Sequence, residues 1–462
     1  MAETNRMSNA GGLQWRSIMR RQPFNDHFDE KMFTMKPPTP QKELAAIRFR
    51  RRGGVAAGFA KVVAGSGPLA VWIWFIAGAA AVADWPVPRG NAHSSGSTDD
   101  RLPETLRLRW ELKFDEPLES TPVIAGDRLF LTDVMGSVHA VDLGDDRAVK
   151  RWSRNLDVGF ASSPSVLPTG ESSATGESSS TGESLSTIGA SGTESTDPSG
   201  AAVVVGDVEG TVTCLDAGDG DVRWQREVGG EIDASPAFHG DTVLVTSQDG
   251  SLTAMSIGDG EVRWTYETDD QLRCGATIVD GRTYLGGCDA NLHRVDVNDG
   301  SSAGDSITID GPTGSTPAAT AYGFLVLPIM SGMVYGVGPG GDVQWKYEDA
   351  ERAQEYRTDA AVDDSIAVVV SARRNVDALS IATGQRQWRY TLRRRANASP
   401  VIAGDDVWIA GSDGRLIRLD KTTGREKWVY EVRGSFVAAP AITGGRLYIG
   451  DDKGVLRCFG GE

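Results

Sequence analysis

Cysteine and histidine, the residues that most often carry metal or redox chemistry, are scarce in this sequence. Four cysteines in 462 residues are too few for a disulfide scaffold, and none of them forms a C-x-x-C pair. The five histidines are scattered, without an H-E-x-x-H motif. A Walker A loop, a kinase signature and a G-x-S-x-G turn are also missing. These absences argue against a zinc ribbon, a thioredoxin, a P-loop nucleotidase and an α/β-hydrolase.

Lysine is scarce as well, and charge is unevenly distributed along the chain. Only 10 of the 47 basic residues are lysine. Residues 1–61 carry 12 basic and 5 acidic residues, whereas residues 62–462 carry 35 basic and 58 acidic residues, a net charge of −23. Such an acidic surface repels phosphate backbones, which argues against nucleic-acid binding. An acidic, lysine-poor surface also indicates adaptation to high salt, and therefore a halophilic source.

Long hydrophobic runs are missing except for one near the N-terminus. Residues 62–83 contain 22 residues without a charge, enough for a helix across about 30 Å of hydrocarbon. Basic residues precede this run, which places the N-terminus in the cytoplasm and the chain after Asp84 outside. Its end at Ala83 completes an A-x-A pattern typical of signal-peptidase sites. We predict a transmembrane anchor or a signal helix cleaved near Ala83; a buried helix of a globular domain is the alternative.

The segment before this run, residues 1–61, is basic and is predicted to be mostly disordered, because prolines interrupt it and no apolar periodicity is present. It is long for the basic region of a signal peptide. Either the true start codon lies further downstream or residues 62–83 remain as an anchor.

Glycine, in contrast, is abundant, and together with tryptophan it marks a repeat. Seven tryptophans follow one another at intervals of 42, 72, 40, 81, 43 and 40 residues. The interval of 72 contains an insertion, and that of 81 covers two periods, with Gly304 where a tryptophan is expected. Similar phrases precede the tryptophans, such as LDAGDGDVRW and LSIATGQRQW. The seven tryptophans, which we call the blade tryptophans because each marks one structural unit (a blade) of the repeat, are Trp110, Trp152, Trp224, Trp264, Trp345, Trp388 and Trp428.

Each unit also has the same internal pattern. It opens on a Ser-Pro or Thr-Pro marker, or on a degenerate copy of it, and continues with four short runs separated by Gly-Asp turns. Alternating apolar and polar residues between such turns indicate antiparallel strands. Four strands in about 40 residues, repeated eight times, predict an all-β, eight-bladed β-propeller over residues 106–462, with residues 84–105 as a lead-in.

The two ends of the repeat predict how the ring closes. The last unit supplies only three strands, and the missing fourth strand with its tryptophan is found around Trp110. We therefore expect Trp110 to lie in the same sheet as Leu456, since one blade built from both ends leaves no open sheet edge. Within the second unit, residues 168–200 repeat the phrase T-G-E-S and are predicted to form a disordered insertion.

The pattern A-x-D-x-x-T-G-x-x-x-W with an opening Ser/Thr-Pro resembles the pyrroloquinoline-quinone-like propeller repeat, and the resemblance covers residues 84–462. The stretches Asp84-Trp85-Pro86 and Arg89-Gly90-Asn91 are similar to the lead-in of such propellers. The resemblance implies one of two functions. One branch resembles quinoprotein alcohol dehydrogenases, and the other resembles the non-enzymatic scaffold propeller of bacterial outer-membrane assembly.

The dehydrogenase branch implies a disulfide between adjacent cysteines, a calcium site, an aspartate base and long insertions between blades. Here Cys214, Cys274, Cys288 and Cys458 are all separated in sequence. Cys214 and Cys458 hold matching third-strand positions and are expected in the core. Cys274 and Cys288 flank one hairpin, and a disulfide between them stays open.

We therefore assign no catalytic, cofactor-binding or metal residue. The expected function is an extracytoplasmic binding or scaffolding propeller that recognises an unidentified protein or cell-surface ligand. The alternative is a dehydrogenase that oxidises alcohols or sugars with pyrroloquinoline quinone and calcium.

One group of residues is a candidate binding site. Seven arginines lie in the links that enter and leave the sixth unit and in the link between its second and third strands. In a propeller these links share one face, so we expect the arginines to converge near blades six and seven, where guanidinium groups could clamp a carboxylate or phosphate or dock an acidic partner. They are Arg352, Arg357, Arg373, Arg374, Arg393, Arg394 and Arg395. The alternative is neutralisation by the neighbouring acids, Asp349, Glu351, Glu355 and Asp359.

Overall fold

The computed structural model describes residues 84–167 and 200–461, and all regular secondary structure in these ranges is β-strand. The strands form eight sheets of four or five strands, which confirms the predicted all-β, eight-bladed propeller. The predicted disordered segment 1–61, the predicted membrane-spanning or signal segment 62–83 and most of the insertion 168–200 lie outside the described residues. Within the described ranges, no helix has the length and apolarity needed to cross a membrane.

The first seven strands are β1 (Asp84–Trp85), β2 (Ser97–Thr98), β3 (Arg107–Lys113), β4 (Val123–Ala125), β5 (Arg128–Thr132), β6 (Ser137–Leu143) and β7 (Ala148–Asn155). Blade 1 consists of β1 and β4–β7. Blade 2 contains β8 (Ser165–Leu167), β9 (Ala202–Gly206), β10 (Thr211–Asp216) and β11 (Val222–Glu227). Blade 3 contains β12 (Ala237–His239), β13 (Thr242–Thr246), β14 (Ser251–Ser256) and β15 (Val262–Glu267). Blade 4 contains β16 (Thr277–Val279), β17 (Arg282–Gly286), β18 (Asn291–Asp296) and β19 (Ile307–Thr308).

The second half follows the same order. Blade 5 contains β20 (Ala318–Ala319), β21 (Leu325–Pro328), β22 (Met333–Val337) and β23 (Val343–Glu348). Blade 6 contains β24 (Ala361–Val362), β25 (Ile366–Val370), β26 (Asn375–Ser380) and β27 (Arg386–Thr391). Blade 7 contains β2 with β28 (Val401–Ala403), β29 (Asp406–Ala410), β30 (Arg415–Asp420) and β31 (Glu426–Glu431). Blade 8 contains β32 (Ala441–Thr443), β33 (Arg446–Gly450), β34 (Val455–Gly460) and β3.

Blade 8 closes the ring as predicted. Strand β3, from the start of the propeller, pairs antiparallel with β34, from its end, so that Trp110 lies opposite Cys458 and Leu112 lies opposite Leu456. Because the chain supplies the outer strand of its last blade from the other end of the repeat, no blade offers the open edge that a linear array would have.

The core lies between neighbouring blades. Second strands such as β5 and β13 are buried along their whole length, whereas fourth strands such as β15 are mostly exposed. Second strands are rich in valine, leucine and isoleucine because both of their faces are covered by adjacent sheets. The fourth strands form the outer rim, which explains their polar composition.

The lead-in does not stand apart from the propeller but runs around the inside of its channel. Strand β1 pairs with the innermost strand of blade 1, and β2 pairs with the innermost strand of blade 7. Between them, lead-in carbonyls accept hydrogen bonds from the first strands of blades 2, 4, 5 and 6. These bonds run from the N–H groups of Val166, Ile278, Ala319 and Val362 to the carbonyls of Pro86, Ala92, His93 and Ser95. We call residues 84–98 the belt; it satisfies inner strand edges that would otherwise lack partners.

Candidate functional site

At one end of the channel, residues that precede the inner strands connect neighbouring blades at five junctions, from blade 1 to 2, 2 to 3, 4 to 5, 5 to 6 and 6 to 7. The backbone N–H of Thr121 donates to the hydroxyl oxygen of Ser163 (2.9 Å), and the N–H of Ser163 donates to that of Ser235 (3.0 Å). Equivalent bonds run from Gly275 to Thr316, from Thr316 to Asp359 and from Asp359 to Ser399. The hydroxyl groups of four markers therefore serve as links between blades, a role that the turn pattern alone did not reveal; they belong to Ser163, Ser235, Thr316 and Ser399.

The belt forms the floor of a cavity of about 460 Å³ at this mouth. Arg89 is buried there and donates from Nη2 to the carbonyl oxygen of Ala360 (2.6 Å) and from Nη1 to that of Pro400 (3.0 Å). Its Nε lies 3.7 Å from the carboxylate of Asp359. Burial lowers the pKa of Arg89, and the charge of Asp359 opposes that shift. Arg89 thus fastens the belt to the entrances of blades 6 and 7 through both of its terminal nitrogens, while its buried Nε has no hydrogen-bond partner among the described residues.

The described side chains lack two features that the dehydrogenase branch implies, a cluster of acidic calcium ligands and a disulfide between adjacent cysteines. In the part of the chain that the structure describes, no three histidine, cysteine, aspartate or glutamate side chains are grouped so that they could hold a metal ion. Cys274 and Cys288 are separate thiols, and the Sγ of Cys274 accepts a hydrogen bond from the N–H of Gly286 (3.2 Å). Cys214 and Cys458 are buried in the core, as predicted.

The blade tryptophans have a structural role at the rim. The Nε1 of Trp152 donates to the carbonyl oxygen of Ala217 in blade 2 (3.1 Å), and the ring lies against Gly220, where a Cβ atom would clash. Blade 4 lacks a tryptophan, and there Arg294 reaches across to the carbonyl oxygen of Gly340 in blade 5 (3.4 Å). Like Trp152, four other tryptophans donate from Nε1 to a carbonyl oxygen of the next blade; they are Trp224, Trp264, Trp345 and Trp388.

The two remaining blade tryptophans use aromatic contacts. Trp110 is buried beside Tyr448, with ring centroids 6.0 Å apart. Trp428 packs edge-on against Trp408 and Phe459, with centroids 5.9 and 5.7 Å apart. Both therefore stabilise the region where the ring closes.

Six of the seven candidate arginines line one open cavity of about 680 Å³ at the junction of blades 6 and 7, which we call the arginine cavity. All six side chains are exposed, and the other lining residues, Ala372, Asn397 and Ser412, are uncharged. The six are Arg352, Arg373, Arg374, Arg393, Arg394 and Arg395. The seventh, Arg357, lines the channel mouth instead and pairs with Glu355 (Nε to Oε1, 2.5 Å).

The neighbouring acids leave the arginine cavity largely without counter-charge. Asp349 is held by Arg389, whose Nη2 lies 2.7 Å from Oδ2 of Asp349, and Arg389 also binds Asp377 through Nε (2.6 Å). Glu351 faces Arg386 at 3.6 Å. In the described structure these acids pair with arginines outside the cavity and not with the six cavity arginines.

Within the arginine cavity itself, only two of the side chains have partners. Arg393 pairs with Glu431 (3.0 Å), and Arg374 donates to the carbonyl oxygen of Arg393 (3.1 Å). The side chains of the other four arginines form no ion pair or hydrogen bond with any described residue. These four are Arg352, Arg373, Arg394 and Arg395.

Sequence reasoning missed a buried ion-pair network in blade 6, in which Arg389 binds Asp349 and so keeps that carboxylate away from the arginine cavity. Asp349 and Asp377 are each 1% exposed at the side chain, and Arg389 bridges them. Burial acts to raise the pKa of Asp349, but the hydrogen bonds from Arg389 and from the N–H of Glu351 outweigh it, so the pKa lies below its usual range. A signal was present in the sequence, since Asp377 and Arg389 are cross-strand partners once β26 and β27 are aligned on Trp388.

Comparison with known proteins gives the family. The model described as outer membrane protein assembly factor BamB matches residues 171–321 and 330–459. A search of curated proteins finds no significant match.

Solved structures share the architecture at low identity. BamB from Moraxella catarrhalis is 18% identical, with 78% of this chain and 98% of that chain covered and a TM-score of 0.61. Quinohemoprotein alcohol dehydrogenase from Comamonas testosteroni is 13% identical, with 82% and 81% covered and a TM-score of 0.63. A europium-containing methanol dehydrogenase is 12% identical, with 82% and 98% covered and a TM-score of 0.61. At these identities the likeness shows the propeller fold alone. Because the family model matches more than half of the sequence, the chain belongs to the family of outer membrane protein assembly factor BamB.

Proposed function

We propose that this protein is a non-catalytic propeller that docks a partner protein, closer to the scaffold type of its family than to the dehydrogenases. The observation that carries the proposal is the channel mouth. The belt closes its floor, and the buried Arg89 spends its donors on the carbonyls of Ala360 and Pro400. A cofactor site needs converging groups that remain available to a ligand, and here both terminal nitrogens of the buried guanidinium at the floor are bonded to the fold.

The alternative, a quinone-dependent dehydrogenase, is kept because two dehydrogenases share the propeller fold. The test is an assay of the full chain supplied with pyrroloquinoline quinone and calcium, using alcohols and aldose sugars with an artificial electron acceptor. We expect no substrate-dependent reduction, while a quinoprotein alcohol dehydrogenase run in parallel is active. A substrate-dependent rate above the rate without quinone would favour the alternative.

We further propose that the propeller lies outside the cytoplasm of a halophilic cell, either anchored by residues 62–83 or released after Ala83. The support is the basic flank before an uncharged run of 22 residues and the net charge of −23 after it. Protease added to intact cells is expected to cut within the T-G-E-S repeats while a cytoplasmic marker stays intact. Complete protection of those repeats would contradict this placement.

A further inference from the structure

The turn between the second and third strands carries a charged residue in blade 6 at a position where six other blades have glycine. Each turn contains one residue with a positive φ, and in blade 6 this residue is Arg374 (φ 75°). Blade 4 has Ala290 there (φ 60°). The other six blades have glycine, at Gly136, Gly210, Gly250, Gly332, Gly414 and Gly454. A left-handed backbone is unfavourable for residues with a side chain, and such strain concentrates at functional sites.

The geometry of the glycine turns shows what blade 6 has to accommodate. A Cβ atom at Gly136 would lie 2.2 Å from a backbone oxygen of the following link, and one at Gly332 would lie 2.5 Å from another. In blade 6 the same position carries a Cβ, and the N–H of Leu392, in the link that follows the fourth strand, still donates the standard hydrogen bond to the carbonyl of Arg374 (2.8 Å). The fold therefore tolerates a large cationic side chain where glycine would be easier.

Hydrogen bonds tie together the chain segments around the arginine cavity. The N–H of Ala372 donates to the carbonyl of Glu355 (2.8 Å), and the N–H of Ser412 donates to the carbonyl of Arg395 (3.2 Å). The hydroxyl of Ser412 donates to the same carbonyl (2.6 Å). Three separate segments of chain thus present their guanidinium groups from a hydrogen-bonded backbone.

We propose that the arginine cavity binds an acidic segment of a partner protein, with aspartate and glutamate side chains held by its guanidinium groups. This inference rests on the proposed docking function and names the chemistry of the partner. Guanidinium groups pair with carboxylates through two parallel hydrogen bonds. The cavity presents six of them with Glu431 as the one carboxylate paired to the set in the described chain, so a ligand with several negative charges matches it better than a single anion.

A protein segment fits the surroundings better than a lipid surface does. Binding at a membrane interface needs apolar side chains that insert beside the basic residues. None of the large apolar side chains exposed in the described chain lines the cavity; the nearest in sequence, Val343, lies on the outer strand of blade 5. Polar Asn397 and Ser412 complete the lining instead, and the exposed amide of Asn397 can donate to the backbone or side chains of a bound peptide.

The test measures binding of a fluorescently labelled oligoglutamate peptide to the full chain by anisotropy, at several salt concentrations. Oligoglutamine, phosphatidylglycerol vesicles and polyphosphate are measured in parallel. We expect the Arg373→Ser/Arg394→Ser variant to bind oligoglutamate at least about tenfold more weakly, the effect of losing roughly one charge-assisted hydrogen bond. The control variant Arg425→Ser/Arg433→Ser removes the same charge from exposed positions outside the cavity and should bind like the unmodified protein. The Arg373→Lys/Arg394→Lys variant keeps charge without the fork of donors and should bind with intermediate affinity.

Equal loss of binding in the control variant would overturn the proposal, since it would indicate attraction by overall charge. Binding of vesicles or polyphosphate without binding of oligoglutamate would also overturn it. The proposed function and this site fail in different ways. Dehydrogenase activity together with cavity-dependent peptide binding would contradict the docking function and keep the site, whereas absence of both would remove the site and leave a docking propeller with its surface elsewhere.

Discussion

Blade 6 carries two kinds of arginine, and the contrast between them explains why one blade provides both stability and a candidate binding surface. Arg389, on the fourth strand, lies between two buried carboxylates, Asp349 and Asp377. Arg373, on the adjacent turn, is exposed and has no partner among the described residues. Two carboxylates near the cavity in sequence, Asp349 and Asp377, are used inside the blade. A positive surface on an acidic chain therefore results from where the acids are buried as well as from where the arginines lie.

The largest effect is expected from Arg389→Ala. This change leaves Asp349 and Asp377, each 1% exposed, without their shared guanidinium. Removing one partner of a buried ion pair typically costs about 3 to 5 kcal/mol, so we expect a loss of that order in the free energy of unfolding, measured by urea denaturation. The exposed pair of Arg263 and Asp241 provides the control, because Arg263→Ala should cost less than about 1 kcal/mol. Equal losses in the two variants would contradict the structural role of Arg389.

The same network predicts a dependence on pH. The pKa of Asp349 lies below its usual value because the hydrogen bonds that it accepts outweigh the effect of burial. A carboxylate with a lowered pKa stabilises the folded state above its unfolded pKa of about 3.9 and loses that contribution as the pH falls further. The stability difference between the unmodified protein and Arg389→Ala should therefore narrow below about pH 4. A difference that stays constant down to pH 2 would show that Asp349 does not contribute in its charged form.

The next largest loss in the free energy of unfolding is expected from a substitution at the channel mouth. Arg89→Ala removes two hydrogen bonds from a charged donor to the buried carbonyls of Ala360 and Pro400. Hydrogen bonds from charged groups contribute about 1.5 to 3 kcal/mol each, and water entering the cavity offsets part of the loss, so we expect about 2 kcal/mol of destabilisation. Arg101→Ala is the matched control in the lead-in, since Arg101 pairs with Asp405 at an exposed site. The inner-strand N–H groups that donate to belt carbonyls should exchange hydrogen faster in Arg89→Ala, and they should exchange at the unmodified rate in Arg101→Ala.

A smaller effect of opposite sign is expected from Arg374→Gly. At φ 75° glycine is free of the strain that arginine bears, so the variant should gain about 0.5 to 1 kcal/mol of stability while binding oligoglutamate more weakly. Arg373→Gly is the control, because Arg373 has an ordinary φ and should lose stability through backbone entropy. A loss of stability in Arg374→Gly would mean that its side-chain contacts outweigh the strain.

The fold could be predicted because its determinants are local and repeated. The tryptophans, the glycine turns and the missing last strand each depend on a few neighbouring residues, and together they predicted eight blades and the pairing of β3 with β34. The path of the belt could not be predicted, because the inner edges that it pairs with exist only once the ring has assembled. The fate of Asp349 was hidden for the same reason, since it follows the last strand of blade 5 and its partner Arg389 belongs to blade 6.

The smallest effect on stability is expected at the arginine cavity, and it is the sharpest test of the comparison between the two kinds of arginine. Arg373 and Arg394 are exposed, and exposed substitutions away from caps and networks usually change stability by less than about 0.5 kcal/mol. Removing both also relieves repulsion among six like charges, so the Arg373→Ser/Arg394→Ser variant should unfold at the same urea concentration as the unmodified protein or slightly above it. A loss of more than about 1 kcal/mol, absent from Arg425→Ser/Arg433→Ser, would show that the cavity arginines hold the blade together as Arg389 does. The cavity arginines would then have a structural role, and the proposal of a bound acidic segment would lose its physical basis.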